Sequence, residues 1–215
     1  FRMVSDMIAA YPDEFDDELI KTIGGEKKIL KYLDIPIQHI DNHILKTMNR
    51  RGTGDEIKEL LSRLKKEIPG LVLRTSLIAG LPGEGEEEFE KLCAYLREVK
   101  IQRAGVFPYS PEEGTPAAKM ERPDGETAQR RAEAIMDIQA RIMDEFNESR
   151  LGTEETVLCE GFDEEYQCYW GRSYAESPDI DGRILFSAEN AQPGEFVKVL
   201  ITEDWDGDLY GQEIN

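Results

Sequence analysis

LVLRTSLIAGLPGE, residues Leu71 to Glu84, is the stretch whose reading decides the fold. Leu71, Val72, Leu73, Leu77 and Ile78 make a mostly apolar run interrupted by Arg74, Thr75 and Ser76. A run of this kind, without strict alternation, predicts a strand buried on both faces of a parallel sheet. It ends in Gly80-Leu81-Pro82-Gly83, and Glu84 to Glu88 then predict a solvated helix start. Glycines at the carboxyl end of a strand let a ligand or another backbone come close, because they carry no Cβ. In barrels and open parallel sheets ligands bind at that end. A tight strand-to-helix turn with no ligand is the plainer alternative.

Working outward, the flanks alternate between the two periods. Upstream, Thr53 and Glu56 form a capping-box pattern ahead of Ile57, Leu60, Leu61, Leu64 and Ile68, and Pro69-Gly70 stops that helix. Ile29 to His39 predicts a second buried strand through Leu33, Ile35 and Ile37, with Pro36 interrupting its ladder. Asp41 is a candidate N-cap for a short helix after it. Earlier still come a short apolar run at Met7 to Ala10 and a helix opened by Asp16 and Asp17 and closed by Gly24-Gly25. Downstream, Phe89, Leu92, Leu96 and Val99 repeat at helical spacing, Ala104 to Tyr109 predicts another strand, and Glu126 to Leu151 one long helix. Alternation of strand and helix is the signature of right-handed βαβ units.

Gly152 marks a change of character. Five short strand-like runs follow, separated by Gly and Pro turns: Thr156 to Phe162, Tyr166 to Arg172, Arg183 to Phe186, Phe196 to Thr202 and Asp208 to Ile214. They predict a small β-barrel. The expected organisation is α/β for residues 1–151 and all-β for residues 152–215. The second segment holds sixteen acidic residues against three basic ones, Arg172, Arg183 and Lys198, a net of −13 within a chain total of −19. Non-specific nucleic-acid binding needs Lys and Arg to displace counterions, so this balance argues against nucleic acid as a direct ligand. It favours a basic partner or plain solubility.

Three cysteines, Cys93, Cys159 and Cys168, match no disulfide or metal framework and suit a reducing cytosol. No run approaches the roughly 20 apolar residues of a membrane span, and Phe1-Arg2-Met3 does not open a signal peptide. The expectation is a cytoplasmic chain that does not touch a membrane, starting without an initiator methionine.

Several strings resemble one family, the radical S-adenosylmethionine methylthiotransferases. They are Tyr11-Pro12-Asp13-Glu14, Tyr32 to His39 (YLDIPIQH), Met48 to Gly52, Ile78 to Glu84 (IAGLPGE), Tyr109 to Ala117 (YSPEEGTPA) and Gly171 to Gly182. Gln38-His39, Ser110 to Glu113 and Arg172 to Gly182 resemble the branch that modifies a ribosomal-protein aspartate more than the tRNA-adenosine branch. The resemblance implies a partial (βα) radical SAM barrel, of which this chain holds the later strands, followed by a small OB-like TRAM barrel. It implies S-adenosylmethionine as cofactor and 4Fe–4S clusters in an intact parent. The family's CxxxCxxC is absent here, and the three cysteines give no converging set of thiolates. The resemblance therefore implies the carboxyl-terminal part of an enzyme, inactive by itself. The implied reaction adds a methylthio group to the β-carbon of an aspartate in a small-subunit ribosomal protein, S-twelve. The tRNA-directed relative and a non-catalytic protein-binding module stay open as alternatives.

The same resemblance suggests which residues face the cofactor. Gln38, at a strand's carboxyl end, would line the cofactor or substrate side with His39. Arg74 is a charge in a strand otherwise suited to burial and must pair. Its partner is either the cofactor carboxylate, which a guanidinium fits bidentately, or a barrel acid such as Asp34. Ile78 and Gly80 would pack beside the adenine and clear space for it, and Phe107 and Tyr109 would flank it. For Ile78, Gly80, Phe107 and Tyr109 core packing is the competing reading, and for Gln38 and His39 it is a capped strand end with a hydrogen-bonded histidine. No residue is expected to bind a metal. The acidic β module is expected to dock a basic small-subunit ribosomal protein.

Overall fold

The computed structural model describes residues 8, 9 and 11 to 214, with Ile8 and Ala9 described by their backbone. In order, the first part runs β1 (Ile8–Ala9), a 3₁₀ turn (Pro12–Glu14), α1 (Asp17–Gly25), β2 (Tyr32–Asp34), α2 (Asn42–Thr47) and α3 (Gly54–Glu67). It continues with β3 (Val72–Ala79), α4 (Glu86–Val99), β4 (Arg103–Pro108) and α5 (Gly125–Glu148). The four strands form one parallel sheet in the order β1-β2-β3-β4. Of the apolar run expected at Met7 to Ala10, the two end residues lie outside the described ones.

Local chemistry fixes the helix starts. Thr53 accepts the Glu56 N–H while Glu56 accepts the Thr53 N–H, the reciprocal capping box. Asp16 and Asp41 accept first-turn N–H groups of α1 and α2. Strand β2 is shorter than the sequence suggests. Ile35 still donates to the Arg74 carbonyl at 2.9 Å, but Pro36 has no N–H, and Ile37 donates to the Thr75 hydroxyl at 3.2 Å instead of a ladder carbonyl. The chain rejoins β3 at Gln38, whose N–H donates to Ser76 and whose carbonyl accepts from Ile78.

The expected burial of β3 on both faces needs correction, because exposure alternates along it. Leu73, Thr75, Leu77 and Ala79 are buried, while Arg74, Ser76 and Ile78 are only half-buried. Leu33, Leu73, Leu77 and Ala79 share an apolar core with Ile23 of α1, Leu61 of α3, Leu96 of α4 and Ile135 of α5. Helices thus cover one face of the sheet and leave the other largely open, so the strand follows the alternation of a half-covered sheet.

Residues 1–142 and 143–215 form two compact units. The second contains a closed barrel, β5 (Glu154–Asp163), β6 (Cys168–Arg172), β7 (Ile184–Ser187), β8 (Phe196–Trp205) and β9 (Asp208–Glu213), in the order β5-β6-β7-β9-β8. All pairs are antiparallel except β7 with β9. Val157, Ile184, Phe186, Val199, Ile201 and Leu209 fill its interior. Closure leaves no edge strand. Beside the barrel the buried Arg150 guanidinium bonds Glu176, Glu155 and Ser173, so its single positive charge is shared by two acids of the module.

Candidate functional site: the open face of the parallel sheet

Parallel register places side chains of neighbouring strands side by side, which assembles the open face directly from sequence. Asp34, Arg74 and Arg103 form one row across β2, β3 and β4; Ser76 and Gly105 form the next, and Ile78 and Phe107 the one beyond. Arg74 Nη1 bonds Asp34 Oδ2 at 2.5 Å. The other oxygen, Asp34 Oδ1, is buried without a hydrogen-bond partner among the described residues. Beyond the Asp34 pair, the Arg74 guanidinium keeps donors suited to an anionic group. A Cβ at Gly105 would stand 3.2 Å from the Phe107 ring and 3.8 Å from Arg74 Nη2, so glycine keeps open the gap between the polar and aromatic ends of the face.

Four of the six residues named from sequence meet here. Arg74, Ile78 and Phe107 lie in the rows just described. Tyr109 follows β4 and donates its N–H to Ala79 at 2.8 Å, whereas Gln38, with φ of 64°, bridges beside the core-facing Leu77 and not a residue of these rows. Phe107 is 55% exposed, which rules out the alternative that it fills the core. Of the two partners open to Arg74, the structure supplies Asp34. Gly80 stands apart. Its φ is 82°, and a Cβ there would meet the Ala128 Cβ of α5 at 2.4 Å, so its bare face is turned to a helix. Ser76 and Gly105, which the sequence did not assign to the site, complete the face; spacing two residues from Arg74 and from Phe107 was the available signal.

Behind the glycine turn lies a polar cluster that no motif announced. Glu84 is 4% exposed, which corrects the expectation that Glu84 to Glu88 is a solvated start. Both its carboxylate oxygens accept the Gly80 N–H at 3.0 Å, and Arg131 Nη1 bonds Oε1 at 2.9 Å. Arg131 also reaches Glu86 at 3.0 Å and lies over the Phe89 ring. Burial pushes the Glu84 pKa up, against the opposing pull of the Gly80 N–H and of Arg131.

His39 is completely buried and lines no open face. Its Nδ1 accepts the Asp41 N–H at 3.0 Å, so Nε2 carries the proton, 3.6 Å from Glu84 Oε2. Burial pushes the His39 pKa down to about 4; Arg131 adds to this, while Asp41 and Glu88 oppose it. At neutral pH the imidazole is therefore uncharged, and its approach to Glu84 is a polar contact, not an ion pair.

A pH dependence follows. The folded His39 pKa lies below the ordinary 6.5, so its contribution to stability is full above 6.5 and is lost as pH falls through about 4. Its share of the loss between pH 7 and pH 4 is about 3 kcal/mol. Glu84, with its pKa raised, works the other way: its contribution is full below 4.5 and is lost as pH rises through its folded pKa. The difference between wild type and His39→Asn in urea titrations over pH 4 to 7 isolates the histidine. Equal slopes in the two proteins would contradict this assignment.

Against known proteins, residues 5–96 match the Radical SAM superfamily and residues 151–214 match the TRAM domain. A protein of Geobacter sulfurreducens named ribosomal protein uS12 methylthiotransferase RimO is 48% identical over 97% of this chain and 47% of its own length. One of the same name from Acetivibrio thermocellus is 47% identical over the same shares. The chain belongs to the radical S-adenosylmethionine methylthiotransferase family. It spans about half the length of the curated relatives it matches. In structure it resembles coproporphyrinogen III oxidase (HemN) from Escherichia coli, with TM-score 0.52 and 18% identity over 62% of this chain and 31% of that one. That likeness concerns the fold. The α/β unit of this family member is thus a partial radical SAM barrel, and its β-barrel is a TRAM domain. Among the described residues no helix is long and apolar enough to cross a membrane.

Proposed function

We propose that this chain is the cofactor-facing and substrate-docking part of a methylthiotransferase that modifies an aspartate of ribosomal protein uS12. The observation that carries this reading is near-50% identity to uS12 methylthiotransferases running through both units of the chain. The acidic β module supports it further, since a net −13 repels RNA phosphates and attracts a basic ribosomal protein. The tRNA-directed alternative lacks that support.

S-adenosylmethionine, when bound, supplies the radical chemistry of this family. The open sheet face suits it: Arg74 would hold its carboxylate, and the unpartnered Asp34 oxygen would accept from its ammonium group. Ile78 and Phe107 would flank the adenine, with Gln38 and Tyr109 at the rim. An iron–sulfur cluster does not fit the residues present. Cys93, Cys159 and Cys168 are free thiols, and among the described residues no three His, Cys, Asp or Glu side chains converge to hold a metal.

Two measurements test the reading. Titration of the chain with purified uS12 at rising salt is expected to give salt-sensitive binding, and the same titration with tRNA none; tight RNA binding without uS12 binding would overturn it. Calorimetric titration with S-adenosylmethionine is expected to show binding that Phe107→Ala weakens about tenfold, the loss of one aromatic contact. Unchanged affinity in that variant would remove the adenine role.

A further inference from the structure

The TRAM barrel carries an aromatic surface that its core does not use. Trp205, the last residue of β8, is 57% exposed, and Tyr166, in the β5–β6 hairpin, is 44% exposed. Their rings meet edge-on at 6.3 Å, and Trp205 also contacts the half-buried Tyr210 ring at 6.0 Å. Asp163, Glu164, Glu165, Asp204, Asp206 and Asp208 surround these rings in sequence, and the segments 163–167 and 204–210 contain no lysine or arginine.

This surface is held rigid from below. Asp163 Oδ1 accepts the N–H groups of Glu165 and Tyr166, which fixes the first hairpin. Asp206 and Gly207 take φ of 52° and 87°, the paired positive values of a tight hairpin turn, which fixes the second. Arg183 ties the two together, bonding Asp163 at 3.2 Å and Asp208 at 3.3 Å. Side chains that stay put before binding lose less entropy on binding.

We propose that Trp205, Tyr166 and Tyr210 form the contact site for lysine and arginine side chains of a basic polypeptide segment. Aromatic faces attract cations through their quadrupole. The carboxylates around them add long-range attraction and repel a nucleic-acid backbone. An apolar partner would gain nothing from the acidic rim, and a nucleic acid would be opposed by it. The inference rests on the reading of this module as the docking surface for uS12, and it names the side chains that would do the holding.

The test uses the full chain and a short lysine- and arginine-rich peptide, followed by the indole N–H resonances of the two tryptophans. Trp205→Phe assigns the signal. The expected result is a peptide-induced shift of the Trp205 resonance. Binding should be about tenfold weaker in Trp205→Ala and in Tyr166→Ala and close to wild type in Trp205→Phe. Acetylating the peptide lysines should weaken it similarly. Thermal unfolding checks that each variant is folded; should Trp205→Ala fail, the hairpin-tip Tyr166→Ala carries the test. Folded alanine variants that bind the peptide and uS12 as wild type does would overturn the aromatic site while leaving uS12 docking standing. Absence of binding to both probes would overturn the two together. A Trp205 shift with single-stranded RNA but none with peptide would also overturn the proposal.

Discussion

Replacing Arg131 with alanine is expected to destabilise the α/β unit by about 4 kcal/mol, the cost of leaving a buried carboxylate without its counter-charge. Glu84 is almost fully enclosed, and its charge is held by the Arg131 guanidinium and by the backbone N–H groups of Gly80 and Leu81. The same guanidinium donates to the Glu84 carbonyl at 3.0 Å and covers Phe89, so its loss also unpairs a carbonyl and uncovers a ring. The loss should depend on pH. Without Arg131 the Glu84 pKa rises further, so the variant recovers part of its stability when acid neutralises the carboxyl group. Urea titrations at pH 5 and pH 8 check this, with the larger loss at pH 8. A second substitution, Glu84→Gln, should restore part of the stability at pH 8, because a neutral amide keeps one acceptor for the Gly80 N–H without a buried charge. A loss under about 1 kcal/mol at both pH values, the range of an exposed pair, would show that this pair is worth no more than a surface one.

The contrast between Glu84 and Arg74 shows what a single sequence can and cannot carry. Arg74 sits in an apolar strand, so its need for a partner was legible, and Asp34 was one of two partners foreseen. Glu84 stands first in a run of acids that reads as a helix start exposed to water. Its burial depends on Arg131, 47 positions away, and on the packing of α5 against the glycine turn, neither of which leaves a local pattern. The strands and helices themselves were legible because their signals are local: the Thr53–Glu56 capping box, the stop at Pro69-Gly70, and the turns that divide the barrel strands. The extent of β2 was less so. Pro36 announced a break, but the substitution of the Thr75 hydroxyl for the missing ladder acceptor is a cross-strand event. The open face of β3 was misread because Val72 and Leu73 together mask an alternation that begins at Arg74. Once register is known, the alternation places Arg74, Ile78 and Phe107 on one surface without further assumption.

Gly80→Ala is the second substitution with a large expected effect, again about 4 kcal/mol, and two separable causes add to it. An L-residue at φ of 82° carries roughly 1–2 kcal/mol of backbone strain. A methyl group 2.4 Å from the Ala128 Cβ and 3.0 Å from its Cα forces the turn and α5 apart, roughly 1–3 kcal/mol more. The causes can be divided experimentally. Ala128→Gly removes the 2.4 Å contact, leaving only the tight 3.0 Å approach to the Cα, at about 1 kcal/mol of helix propensity. The double variant Gly80→Ala with Ala128→Gly should therefore lose less than the two single losses summed, by about the steric share, while the strain at φ 82° remains. The cycle also decides what Gly80 is for. A glycine that exists to admit helix α5 shows this coupling, and its alanine variant binds S-adenosylmethionine normally in whatever fraction stays folded. A glycine that exists to admit the adenine would show weakened cofactor binding with additive stability losses. The 2.4 Å approach to Ala128 makes the first outcome the expected one, and it leaves the proposed adenine contact to Ile78 and Phe107 alone.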